Sequence, residues 1–499
     1  VTTLQRPDNP GTYISLVGES AVRPPANVAS TVAIPIVHDW GPIGSDEPGS
    51  DGKQGGVQLC EVFGNFDALF GNSDTDGRDA ALGAFVGPGV PGEPGAGGVL
   101  VYRMATSAAK ASTKTIKNTK EAPEDALVLT AVYKGERGDR ISYVIDTDPT
   151  DEAKARLRIR FDGVVQERYS YAKTDITALA AAINARSKYV TAEVKKSGIA
   201  LATTTGTALA GGNNGDEVTA TEWEEALSSF ELQDFSIFAP FDLTDDEVIA
   251  MVLSWVETQA AQQTPVFAVL GGKDTEDLTE AIEKAEDIRN EHIVRVAGGK
   301  FHDDFLDKDI STSKLAARIA GILAGRGEES SLTFAPIAGL KQVGSTIIGT
   351  DELALAAEQG LTVFRRASRP NTDLVIAKGV TTYTNQTDPT KPYELFSDPR
   401  IVRVADLFLR RMKEWGDENI IGPTRVIETT KAAVRQRGIA ELSDLESRGM
   451  ILPGTSEADK PFFRIVDDPG PSLEDAIVFE FGWKFARTTN FLIGTGKVR

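Results

Sequence analysis

Lys273, Lys300 and Lys497 each directly follow a glycine in this 499-residue chain, as the lysine of a phosphate-binding loop does. Such a loop wraps backbone N–H groups around phosphate oxygens and needs a first glycine five positions before the second. That position holds Phe267 ahead of Lys273, Val294 ahead of Lys300 and Phe491 ahead of Lys497. Metal chemistry has as little to work with. One cysteine, Cys60, and three histidines, His38, His292 and His302, do not make a Cys/His zinc site. His302-Asp303-Asp304 offers donors for a divalent ion but also reads as an ordinary surface loop. No serine stands in a G-x-S-x-G elbow. A Ser-His-Asp triad assembles from distant positions, so spacing leaves that class open. Even so, His292 opens a predicted strand and His38 neighbours Trp40, where packing accounts for both. Acidic pairs such as Asp245-Asp246 stand at helix starts, where they complement the helix dipole. Arg137-Gly138-Asp139 spells an adhesion tripeptide, but inside a Gly-rich turn between strands. Cys60 lies in an apolar segment and reads as a small buried hydrophobe, with an intermolecular disulfide as the alternative. The residues therefore predict no catalytic group, no metal and no cofactor.

With little chemistry to position, the composition carries more weight. Hydrophobic residues make up 41% and charged residues 25%, ordinary values for a globular protein. A formal charge of -20 argues against nucleic acid as a direct partner, since phosphate binding needs a basic surface. No run of about 18 apolar residues is present, so no membrane span is expected. The polar stretch Val1 to Pro10 lacks the apolar core of a signal peptide, which implies synthesis in the cytoplasm.

The elements are legible in stretches. Residues 1–30 read as an extended arm, because Pro7, Pro10, Pro24 and Pro25 exclude a helix while Tyr13, Ile14 and Leu16 lie in a strand-like run. Residues 31–112 alternate strand, helix and strand, the start of an α/β core. A β-rich segment, 113–213, reads as an inserted domain; its Asp162-Gly163 pair is two-residue hairpin chemistry. The α/β alternation resumes over 214–370, and three strand–helix repeats imply a parallel sheet with right-handed crossovers. A hairpin (373–377 with 380–384) and amphipathic helices (399–415, 424–436, 439–448) fill 371–476. The final segment, 477–499, is a strand arm. Its odd positions, Ile477, Phe479, Phe481, Trp483 and Phe485, put one apolar face on a strand. Lys484, Arg487, Lys497 and Arg499 make it basic on an acidic chain. A face this aromatic needs a sheet to lie on, the chain's own or a neighbour's.

The chain resembles the tail sheath proteins of contractile bacteriophages. The resemblance rests on Pro10-Gly11-x-Tyr13-Ile14, Arg23-Pro24-Pro25, Thr31-x-x-x-Pro35 and Trp40-Gly41-Pro42. It continues through Val132-Tyr133-Lys134-Gly135-x-x-Gly138, Leu209-x-Gly211-Gly212-x-x-Gly215 and the aromatic terminal strand. Phe334-Ala335-Pro336-Ile337 is similar to the family's Ala-Pro-Ala-Asn region but departs from it. The resemblance implies a subtilisin-like α/β core without protease activity, decorated by the insertion. It implies stacked hexameric rings around a tail tube, with baseplate and tail terminator proteins as further partners, and contraction that drives the tube through an envelope. It also implies terminal arms completing sheets in neighbouring subunits, with Tyr13, Ile14, Leu16, Ile477, Phe479, Phe481, Trp483, Lys484, Phe485 and Arg487 as the interface residues. Two alternatives stand beside it. One is an α/β hydrolase-like or nucleotide-binding enzyme with an inserted β-domain. The other is a sheath in a phage-derived bacteriocin or injection particle.

Overall fold

The computed structural model describes residues 19–20, 31–45, 55–343, 350–367, 374–385, 391–456, 460–466 and 475–485. Two compact units emerge. One is built from 33–81 and 100–234, the other from 82–99 and 235–499 with the stretch through Val32.

In the first unit, Thr113–Lys117, Asp125–Ala131 and Val190–Val194 form one antiparallel sheet. Ile141–Asp148, Asp151–Phe161, Val164–Ala172 and Thr204–Ala208 form another. The Asp162-Gly163 turn has φ of 50° and 79°, the paired positive values that a two-residue hairpin of this hand demands. Helix Ile176–Arg186, capped by Asp175 accepting from the Ala178 N–H at 3.0 Å, closes the layer. Leu127, Tyr143, Leu157, Ile159, Leu179 and Ile183 share its core with Trp40. Trp40 meets Tyr133 edge-on at 5.2 Å.

The second unit holds the expected parallel sheet. Ile237–Phe238, Phe267–Leu270, Ile293–Val296 and Leu361–Arg366 run parallel in that order. Phe267–Leu270 is buried along its whole length, as strands covered on both faces are. Helix Asp246–Ala261 begins on Asp245, whose carboxylate accepts from the Glu247 and Val248 N–H groups, so the acidic pair there is a cap. Beyond Leu361–Arg366 the sheet turns antiparallel through Leu374–Lys378 and Pro336–Ile337.

Several expected elements differ. The 373–377 strand pairs with Leu361–Arg366 rather than with 380–384. Residues 380–384 run as a loop, in which the Val380 N–H bonds the Thr362 hydroxyl and the Thr381 hydroxyl donates to the Phe396 carbonyl. The two predicted helices after 424 are one, Glu428–Ser447, because Gly438 is helical rather than a stop. A small sheet of Lys300–Asp303, Lys308–Ser311 and Leu340–Gln342 lies where the sequence reading placed a loop.

Candidate assembly site at the C-terminal strand

The strand that drew attention in sequence is built onto two helices. Helix Pro399–Asn419 starts with Pro399 in its first turn and Asp398 accepting from the Arg400 N–H at 3.0 Å. It buries Ile401, Ala405, Phe408 and Met412, one stripe at helical spacing. Helix Glu428–Ser447 is tied to it by Arg411, which donates to Glu441 at 3.2 Å and Asp444 at 2.7 Å. At Gly438 an added Cβ would stand 2.3 Å from the Phe463 ring, so only glycine lets that ring rest on the helix.

Phe462–Ile465 carries Phe463 and pairs antiparallel with Phe479–Gly482, Phe463 opposite Phe481 and Ile465 opposite Phe479. Phe463 stacks on Phe479 at 4.8 Å, and Phe408 meets Phe481 at 4.8 Å and Trp483 at 5.0 Å. Each such ring pair adds about 0.5–1.5 kcal/mol beyond area burial. The opposite face is wet: Arg464 and Glu480 form an exposed ion pair and Phe462 is 46% exposed. The strand breaks at Trp483 and resumes as Lys484–Phe485. There the Leu452 N–H bonds the Lys484 carbonyl at 2.8 Å, and Phe485 bridges Ile451. Glu19–Ser20 pairs parallel along the same two residues.

The structure thus seats Phe479, Phe481, Trp483 and Phe485 on the subunit's own helix and strand. Trp483 and Phe485 are buried and Phe479 and Phe481 half-buried. Ile477 and Lys484 are half-buried beside them. Tyr13, Ile14, Leu16 and Arg487 lie outside the described residues. Sequence reasoning missed three contributors: Phe408, Phe463 and Gly438. Phe408 lay on a predicted amphipathic face, whereas nothing in sequence pairs Phe463 with Phe481.

The candidate chemical residues are occupied structurally. His38 packs against Phe66 and Phe70, and burial holds its pKa below 6.5 despite Asp39. His292 bonds Asp406 at 3.1 Å. His302 bonds Asp309 and lies 3.6 Å from Asp304, Asp304 pairs with Lys341, and Asp303 turns inward to Arg318, so the three side chains of the tripeptide do not converge. Among the described residues no group of three or more metal-ligating side chains converges. Burial pushes the Cys60 thiol up to about 12. In the tripeptide, Arg137 bonds Asn72 at 2.6 Å and Asp139 accepts from Ser112 at 2.7 Å, which ties the turn together.

Residues 216–382, which span the parallel sheet, match the phage tail sheath protein central domain family. This part of the chain is similar to a tail sheath central domain. The chain's fold is that of sheath proteins over nearly the whole length. A sheath tail protein from Desulfitobacterium hafniense superposes with a TM-score of 0.69 at 18% identity, covering 94% of this chain and 99% of that one. One from Listeria innocua gives 0.66 at 19% identity, covering 92% and 96%. The PVC sheath complex of an extracellular contractile injection system, in its contracted state, gives 0.52 at 14% identity, covering 99% and 98%. No protein of curated function matches in sequence. Among the described residues no helix is long and apolar enough to cross a membrane.

Proposed function

We propose that this chain is the structural subunit of a contractile tail sheath, polymerising as stacked hexameric rings around an inner tube and contracting to drive the tube through a target envelope. The observation that carries the reading is the tail sheath central domain set within a sheath fold spanning nearly all of the chain. The tail tube, baseplate and tail terminator proteins are its partners, and the particle is where it resides. The role is mechanical, not enzymatic.

The terminal segments link subunits. Residues 479–485 serve as an anchor docked on their own subunit, and the links run through the N-terminal arm with Tyr13, Ile14 and Leu16, and through the chain beyond Phe485 with Arg487. The parallel pairing of Glu19–Ser20 with Lys484–Phe485 of the same chain supports this, because that backbone edge is of a kind that an N-terminal strand, its own or a neighbour's, can join. Whether the particle is a phage tail or a phage-derived injection system is decided by the neighbouring genes; the likeness to the PVC sheath keeps the second in view. Negative-stain microscopy of the purified protein tests the reading. Ribbed tubes or rings are expected, and a protein that stays monomeric at high concentration refutes it.

A further inference from the structure

The charge on this chain is segregated. Residues 113–213 hold 16 Lys and Arg against 13 Asp and Glu, a net of +3, which leaves -23 on the other residues. The excess cations gather on one sheet face. In Asp151–Phe161 the odd positions Ala155, Leu157 and Ile159 point into the core, so Lys154, Arg156, Arg158 and Arg160 share the outer face. Arg168 joins them from the next strand, directly opposite Arg158. Like charges opposed across a strand pair destabilise a sheet taken alone. Carboxylates relieve one end only: Asp146 takes Arg156 and Arg158, Asp151 takes Lys154 at 3.1 Å, and Asp148 sits beside Ser170. Near the other end Asp162 is engaged by Arg140. Two guanidiniums thus share the single carboxylate of Asp146, so Arg158, taken with Arg160 and Arg168, leaves a net cationic stripe on a chain that is otherwise strongly acidic.

We propose that this arginine-bearing face docks on the acidic helix Leu278–Ile288 of a second copy of the chain. The inference rests on the reading of the protein as a self-assembling sheath subunit. The helix presents Glu283 and Asp287 at exposed positions four apart, hence on one side, next to Glu280, which accepts from the Asp277 N–H at 3.3 Å as part of the helix cap. Its remaining acid in that stretch, Glu286, is paired with Arg289. The dimensions agree. Arg158 to Arg160 spans about 7 Å of strand, and Glu283 to Asp287 about 6 Å of helix. Arginine forks suit carboxylate partners, and complementary fields of this kind set register and exclude wrong partners.

The test measures the critical concentration for assembly by light scattering and microscopy in low and high salt. Arg158→Gln/Arg160→Gln/Arg168→Gln is the first variant, with far-UV circular dichroism to confirm its fold. Its critical concentration should rise by about tenfold, as expected for losing close charge pairs, and the salt dependence should flatten. A swap of Arg158→Glu/Arg160→Glu combined with Glu283→Lys/Asp287→Lys should assemble where either half alone does not. Wild-type assembly with an unaffected glutamine variant overturns the docking and leaves the sheath reading intact. A wild-type chain that never assembles overturns both. A glutamine defect that the swap does not rescue overturns the helix as partner, and loss of heparin retention in that variant then assigns the face to an external polyanion. A second readout mixes an Arg168→Cys copy with a Glu283→Cys copy: an intermolecular disulfide that forms only in assemblies supports the docking, and its absence there counts against it.

Discussion

Removing the indole of Trp483 tests whether the terminal aromatic strand belongs to the subunit's own fold. Trp483 is 7% exposed and touches Phe408, Phe481 and Phe485 at ring distances of 5.0, 5.3 and 5.6 Å. Phe408, beneath it, is completely buried. Truncating a buried aromatic to alanine costs about 3–5 kcal/mol when the site cannot collapse, and rings anchored on a helix and a paired strand cannot follow. Trp483→Ala should therefore lower the urea midpoint of the unit that contains it by that equivalent. Trp483→Phe should cost less than about 1.5 kcal/mol, as shape-tolerant apolar swaps do. The indole Nε1 is buried with no hydrogen-bond partner among the described residues, so phenylalanine removes an unpaired donor along with the lost area. The assay is urea unfolding followed by far-UV circular dichroism, with the two units treated as separate transitions. Two truncations complete it. Ending the chain at Ala476 strips the cover from Phe408 and Phe463, so it should destabilise the subunit as well as disturb assembly. Ending it after Phe485 keeps every contact described above and isolates the assembly role of the residues beyond. An alanine variant within about 1 kcal/mol of wild type would refute the own-subunit anchor.

Other outcomes follow from buried charge. Asp303→Ala should cost about 3–5 kcal/mol, because it strands the Arg318 guanidinium, with both partners only 2% exposed and 2.7 Å apart; replacing both by apolar residues should recover part of that loss in the same urea titration. His292 and His38 should act with opposite signs in stability measured from pH 5 to 9. Burial alone would lower the His292 pKa, but Asp406 and Glu291 outweigh it and hold it above 6.5, so its contribution is complete below 6.5 and is lost as pH rises through the raised value; Asp406→Asn should remove that alkaline loss. Burial lowers the His38 pKa, so its contribution is complete above 6.5 and is lost as pH falls from there through the lowered value, and His38→Phe should remove that acid loss. Gly438→Val should drive a side chain into the Phe463 ring and unseat the Phe462–Ile465 strand, visible as faster proteolysis near that strand.

How much the sequence revealed depended on whether the signal was local. The Asp162-Gly163 turn, the Asp245 cap and the wholly apolar Phe267–Leu270 strand were legible because two to four neighbouring residues set each of them. The partner of 374–378 was not, since the choice between 380–384 and Leu361–Arg366 is made by tertiary hydrogen bonds to Thr362 and Phe396. The gap read between helices 424–436 and 439–448 fails for a related reason: it falls at Gly438, where glycine is helical and leaves room for the Phe463 ring. The terminal aromatic face was legible as a strand, but its seat depended on Phe408 and Phe463, which lie far away in sequence.

That dependence bears on how the proposed sheath subunit would hold on while it moves. A strand that had to order wholly on a neighbour would spend much of its binding free energy on chain entropy, about 1–2 kcal/mol per residue for the backbone alone. Residues 479–485 are already ordered on their own helix, so that cost is met within the subunit, and their backbone is presented as a rigid edge. Glu19–Ser20 of the same chain pairs with this edge through its main chain, and main-chain pairing of this kind is indifferent to side-chain identity. In the proposed lattice, an edge fixed to a folded body and joined to a neighbour by a short pairing of the same kind would let the bodies reorient while the pairing persists, so a preorganised acceptor suits that reading better than a strand that orders only on binding.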